Sequence, residues 1–195
     1  MKLFERPLAF VDVETTGLDA SVHEIIEVAV VFDRAAVDPT APWAQYLTPE
    51  GSDMAVWCTR VRPERIQVAD PTALQINGYR PEDWEGAPTA ADVAHIIAAL
   101  LTRSGAYPVI AGHNVSFDRA FLDALLQTAG SPHRVAYHLV DTATLCYAHL
   151  VPTGLAALSL DSVRKHLDIP TEGSHAALKD AVDARTIYRR LVGPT

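Results

Sequence analysis

Residues 8–18 read LAFVDVETTGL, an apolar run that carries two carboxylates two positions apart and then breaks at a glycine. Side chains alternate faces along a strand, so Asp12 and Glu14 share a side with Leu8 and Phe10, while Ala9, Val11 and Val13 take the other. Two acids on one buried face repel each other and lose hydration, and both effects oppose ionisation. A bound cation reverses that balance. Hard carboxylate oxygens at this spacing suit Mg²⁺ or Mn²⁺ better than Zn²⁺. A strand end with two solvated acids is the alternative that this stretch, taken alone, leaves open.

Beyond the turn at Gly17, residues 25–32 are rich in β-branched side chains and predict a second strand, joined to the first as a hairpin. Between residues 33 and 88 the pattern changes: seven prolines, all three tryptophans and the arginines Arg60, Arg62 and Arg65 interrupt any long periodicity. An edge strand near residues 44–47 and a short helix near 71–76 are the elements expected there. The arginines read as a solvated face and the tryptophans as packing.

Helical spacing returns at residues 89–101, with Val93, Ile96, Ile97, Leu100 and Leu101 on one stripe and Thr89 as N-cap. A short apolar strand at 108–111 leads through GHNVSFDRAFL, from Gly112, into another helix. Its stripe of Phe117, Phe121, Ala124 and Leu125 includes Asp118, whereas Arg119 and Asp123 point away. A fifth strand is expected at 138–140, then helices near 142–149 and 159–167, the second capped by Ser159. The last helix is expected to start near Ser174 or His175, with Ala177, Ala181, Ala184, Ile187, Tyr188 and Leu191 inward. Asp180 lies within that stripe and Asp183 at its margin. On a continuous helix His175 and Asp180 would stand about 140° apart, so both reach one site only if His175 lies on the entering loop.

The 195 residues have the length of one domain, taken as 1–195, and the net charge of -8 argues against a large basic nucleic-acid surface. Cys58 and Cys146 have no metal-type spacing and read as reduced thiols, which points to the cytoplasm. A core strand beginning by about Leu8 leaves no room for a signal peptide, and no apolar run approaches the ~20 residues of a membrane helix.

Four acids, Asp12, Glu14, Asp118 and Asp180, are thus each expected to face the interior, with His175 beside them. Phosphodiester hydrolysis calls for such a set: two divalent ions about 3.5–4 Å apart and a base that titrates near neutrality. His95, His133, His138, His149 and His166 carry no functional claim.

On these residues the chain resembles the DnaQ-like DEDDh 3′–5′ exonucleases of the ribonuclease H-like fold. Phe10 to Leu18 is similar to the family's first motif, His113-Asn114 with Phe117-Asp118 to its second, and His175 with Asp180, spaced H-x4-D, to its third. Relatives that use a tyrosine place it where this chain has Ala176, so the histidine variant is indicated. The resemblance implies an α/β fold: a mixed five-stranded sheet flanked by helices, its second strand antiparallel to its neighbours. It further implies that Asp12, Glu14 and Asp180 hold the metal that carries the attacking water, that Asp12 bridges to a second metal, and that Asp118 completes the site. Thr15, Thr16 and Leu18 match positions lining the 3′-terminal nucleotide, and His113, Asn114 and Phe117 match its sugar-phosphate side. Ile76-Asn77-Gly78 resembles a substrate-side segment. The implied activity is release of nucleoside 5′-monophosphates from single-stranded 3′ ends, with DNA favoured. The alternatives are a nuclease for short RNA and a non-catalytic nucleic-acid-binding domain. Nothing in the sequence supports a polymerase partner or fixes an oligomeric state.

Overall fold

The computed structural model describes residues 6–33, 53–103, 107–128, 130, 135–173 and 176–193. Strand β1 (Leu8–Thr15) pairs antiparallel with β2 (Ile25–Asp33), Leu8 opposite Asp33 and Glu14 opposite Glu27. β2 pairs antiparallel with the edge strand β3 (Met54–Arg60). On the other side β1 runs parallel to β4 (Val109–Gly112), and β4 parallel to β5 (Leu139–Asp141), giving the order β3-β2-β1-β4-β5. This is the expected mixed five-stranded sheet with its second strand antiparallel.

The alternation read along the first motif separates two cores. Ala9, Val11 and Val13, with Val28, Val30 and Phe32 of β2, pack against Val93, Ile97, Leu100 and Leu101 of α3 (Ala90–Arg103) and against Phe121, Leu122 and Leu125 of α4 (Val115–Thr128). Phe10, Ala29 and Val31 face the other way, onto Ala177, Ala181 and Ala184 of the long C-terminal helix, Ala177–Val192. Those three alanines let that helix lie close to the sheet. The capping expectations hold as well: the Thr89 hydroxyl accepts from Asp92 N while Asp92 Oδ2 accepts from Thr89 N, and Ser159 accepts from Ser162 N.

The proline-rich region is where the structure departs from the sequence reading. The helix at 71–76 is present as α1 (Pro71–Ile76), followed by a single turn, α2 (Pro81–Trp84). The strand expected near 44–47 lies outside the described residues, whereas β3 at Met54–Arg60 was not anticipated. Its second half is partly exposed, so its pattern fades where it runs along the sheet edge. Trp57 and Trp84 are buried and Trp84 Nε1 donates to Ile26 O at 2.7 Å, so both serve packing. Arg60 lies over the Trp84 ring and Arg65 pairs with Glu24.

Two short helices, α5 (Thr142–His149) and α6 (Leu160–His166), precede the long one, α7 (Ala177–Val192), and close a third cluster around Cys146, Val163 and Ile187. No helix among the described residues is long and apolar enough to cross a membrane.

Candidate metal and catalytic site

β1 delivers Asp12 and Glu14 to the face that meets α7, and Asp180 sits in the first turn of α7. Carboxylate oxygens of these three residues lie within 4.8 Å of one another. Asp118, in the first turn of α4, approaches from the other direction. β1 pairs with β4 only as far as Phe10, and further along Asp118 Oδ1 accepts from Val13 N at 3.0 Å in place of the missing strand. The close approach that permits this is visible at Gly112, where a Cβ would stand 2.8 Å from the carbonyl oxygen of Val11. Only glycine fits there.

The electrostatics match a centre short of positive charge. Burial, and then repulsion from Asp118, Asp180 and Glu14, pushes the Asp12 carboxyl well above its ordinary value, with Arg164 opposing. Burial with repulsion from Asp180, Glu27 and Asp118 raises Glu14 to about 8. Burial raises Asp118 to about 7 against the bond from Val13 N. The donors are all carboxylate oxygens and they repel one another, which is the set a hard divalent cation takes.

The loop after β1 is tightly braced. Thr15 Oγ1 donates to Gly17 O, Thr16 Oγ1 accepts from Glu24 N, and Asn77 Nδ2 donates to Thr15 O. Thr15 and Thr16 are therefore buried shapers of the loop, and Asn77 brings the 76–78 segment to it as the sequence suggested. Leu18, by contrast, is 81% exposed. Gly17 lies under His23, whose ring would stand about 2.5 Å from an added Cβ.

At the start of α4, Asn114 is exposed in a left-handed conformation (φ 61°) and its backbone N–H donates to Asp141 Oδ1. Phe117 is half-buried against Phe121. His113 has both ring nitrogens engaged: Nε2 lies 2.7 Å from Leu158 O and so carries the proton, and Nδ1 lies 3.0 Å from Thr142 Oγ1. Burial holds its pKa below the ordinary value, against the bond to Leu158 O. His175 lies outside the described residues.

Three contributors escaped the sequence reading. Arg164, 1% exposed, bonds Asp180 Oδ1 at 2.5 Å, Asp183 Oδ2 at 2.7 Å and Asp161 Oδ1 at 2.9 Å. Glu27 accepts from Ala177 N at 3.0 Å and so fixes the entry of α7. Asp141 caps α5 and holds Asn114. Arg164 sits in a basic run at a helix end, the commonest place for solvated cations, so nothing local distinguished it.

Sheet and acid cluster together define the class, a ribonuclease H-like α/β domain whose clustered carboxylates could hold a metal ion. The family model described as "Exonuclease" (RNase_T) matches residues 9–188, and the chain belongs to that family, in its DEDDh, DnaQ-like branch of metal-dependent 3′–5′ exonucleases. It is 24% identical to ribonuclease T of Cronobacter sakazakii over 190 residues, 93% of this chain and 79% of that one. It is 32% identical to the PolC-type DNA polymerase III of Latilactobacillus sakei over 173 residues, 87% of this chain but 10% of that protein. Among solved structures, E. coli Exonuclease I in complex with a dT13 oligonucleotide shares the fold with a TM-score of 0.73 at 17% identity, over 97% of this chain and 41% of that one.

Proposed function

We propose that the protein hydrolyses the terminal phosphodiester at single-stranded 3′ ends, DNA in preference, with two divalent cations, Mg²⁺ or Mn²⁺, and His175 as general base. The observation that carries this reading is the convergence of Asp12, Glu14 and Asp180 oxygens within 4.8 Å, on a chain of the exonuclease family. Divalent cations bound there supply charge neutralisation at the phosphate and lower the pKa of an attacking water. The protein's own part is to hold and aim. Asp12, Glu14 and Asp180 present the ligating oxygens, and Asp118 completes the set while its bond to Val13 N keeps α4 in register with β1. His175, in its neutral form, removes the proton. Leu18 offers exposed apolar surface to a terminal base, with Asn114 and Phe117 beside the sugar-phosphate. Thr15, Thr16 and His113 set the walls, since their polar atoms are engaged within the protein.

DNA is favoured because the structural relative named above is described in complex with dT13. The second reading, RNA ends, is favoured by the likeness to ribonuclease T across 79% of that protein's length. Free thiols at Cys58 and Cys146 support a reducing, cytoplasmic setting. The test compares 5′-labelled single strands of DNA and RNA of one sequence, with Mg²⁺, with Mn²⁺ and with EDTA. A descending ladder, blocked by a 3′-phosphate and absent in EDTA, is expected. Internal cuts, or a labelled mononucleotide appearing first, would overturn the polarity. Binding of both strands without cleavage would make the protein a non-catalytic nucleic-acid-binding domain.

A further inference from the structure

Arg164 is a buried cation shared by three acids, and only one of the three contacts is needed to tie α6 to α7. Its Nε bond to Asp183 does that, with Lys179 as a second partner of the same carboxylate. The bond from Nη1 reaches Asp161, whose side chain is 45% exposed. The remaining arm is aimed elsewhere: Nη2 lies 2.5 Å from Asp180 Oδ1, and Asp180 is the residue whose carboxylate meets those of Asp12 and Glu14. A guanidinium is a rigid planar fork. With Nε held by Asp183 and Nη1 by Asp161, the position of Nη2 is fixed, and the Asp180 carboxylate bonded to it loses its freedom to rotate about its own side-chain torsions.

We propose that Arg164 is a positioning residue for the metal centre, orienting Asp180 so that its carboxylate is pre-set toward Asp12 and Glu14. This rests on the reading of Asp180 as a metal ligand. The guanidinium has two opposed effects on a cation bound beside Asp180: its charge repels the cation, and its geometry removes the entropy of ordering the ligand. The geometry dominates, as it does where outer partners of metal ligands are removed and affinity falls by about 10–100-fold.

The experiment is a Mn²⁺ titration of the full chain at one fixed alkaline pH, following free Mn²⁺ by electron paramagnetic resonance, for the wild type, R164M, R164K and D161N. R164M and R164K should each bind about 10–100-fold more weakly. R164K keeps the charge without the fork, and D161N, whose side-chain oxygen still accepts from Nη1, should bind as the wild type does. R164M binding as tightly as the wild type would show that Arg164 only ties two helices together. Tighter binding by R164M would show that its charge, not its geometry, governs the site. Either result overturns the proposal. If R164M does not fold, the double variant R164M/D183N measured against D183N carries the same comparison, because no charged Asp183 is then left stranded. A wild type that fails to bind Mn²⁺ would instead overturn the ligand reading of Asp180 itself.

Discussion

The β1–β2 hairpin buries acids at both of its ends, and the two ends are built on opposite principles. Opposite Leu8, Asp33 is 7% exposed and receives Arg185 Nε at 2.7 Å and Arg189 Nη2 at 2.6 Å, while Arg185 also holds Asp53 at 2.6 Å. There each acid has its arginine. Opposite Glu27, the acids Asp12, Glu14, Asp118 and Asp180 crowd together, and among the described residues only Arg164 bonds one of them as a cation. A single helix serves both ends of the hairpin: α7 gives Asp180 and Asp183 near its start and Arg185 and Arg189 further on. A buried acid is therefore no mark of function by itself. The mark is an excess of buried acids over internal cations, which leaves charge for something from outside to neutralise.

Removing an acid should therefore have opposite consequences at the two ends. The largest effect is expected for Asp12→Ala, which should abolish nucleotide release from a labelled single strand, exceeding the ~100-fold lost with an outer-sphere partner. Its melting temperature in EDTA should be equal to or above that of the wild type, since repulsion is relieved. Full activity would end the metal-ligand assignment. His175→Ala should come next, lowering kcat by about 10²–10⁴-fold and flattening the acidic limb of the pH–rate profile, with Mn²⁺ affinity almost unchanged. His166→Ala should do neither, and an unaltered acidic limb in the His175 variant would assign the proton to another group.

At the balanced end, Asp33→Ala strands two arginines and should cost about 3–5 kcal/mol in denaturant unfolding. Activity per folded molecule should stay at the wild-type level. A fall in kcat without loss of stability would blur the contrast between the ends.

The last expected effect is on pH. Glu14 is raised from 4.5 to about 8 and Asp118 from 3.8 to about 7, so the folded metal-free protein binds more protons than the unfolded chain between those values. Stability in EDTA should then be greatest at the acidic side of that window and fall as pH rises through about 7 to 8. Saturating Mn²⁺, by keeping these acids ionised in the folded protein, should flatten the slope across that window. A melting temperature in EDTA that stays level across the window would show that the acids are ionised without help.

How much of this the sequence displays depends on whether a residue's role is local. Asp12 and Glu14 are legible from strand alternation, and Asp118 and Asp180 from the helical wheel, because each is an acid on an apolar face. The caps at Thr89 and Ser159 are equally local. The short strand β3 is not, since its ordering comes from pairing with β2, and two of its last three residues are exposed. Arg164 and Glu27 are less legible still. The first reads as one cation in the run Arg164-Lys165-His166, and the second as one polar residue in a strand. Their meaning lies in partners 16 and 150 positions away.

The bond from Ala177 N to Glu27 spans 150 positions. A contact so remote in sequence closes a long loop, and its entropy is repaid only while both ends are held in place. Asp12 and Glu14 belong to β1 and Asp180 to α7, so the acid centre depends on a contact between the first strand and the last helix described. The acid cluster is then complete only when α7 is docked on the sheet, so anything that loosens this one helix takes the centre apart.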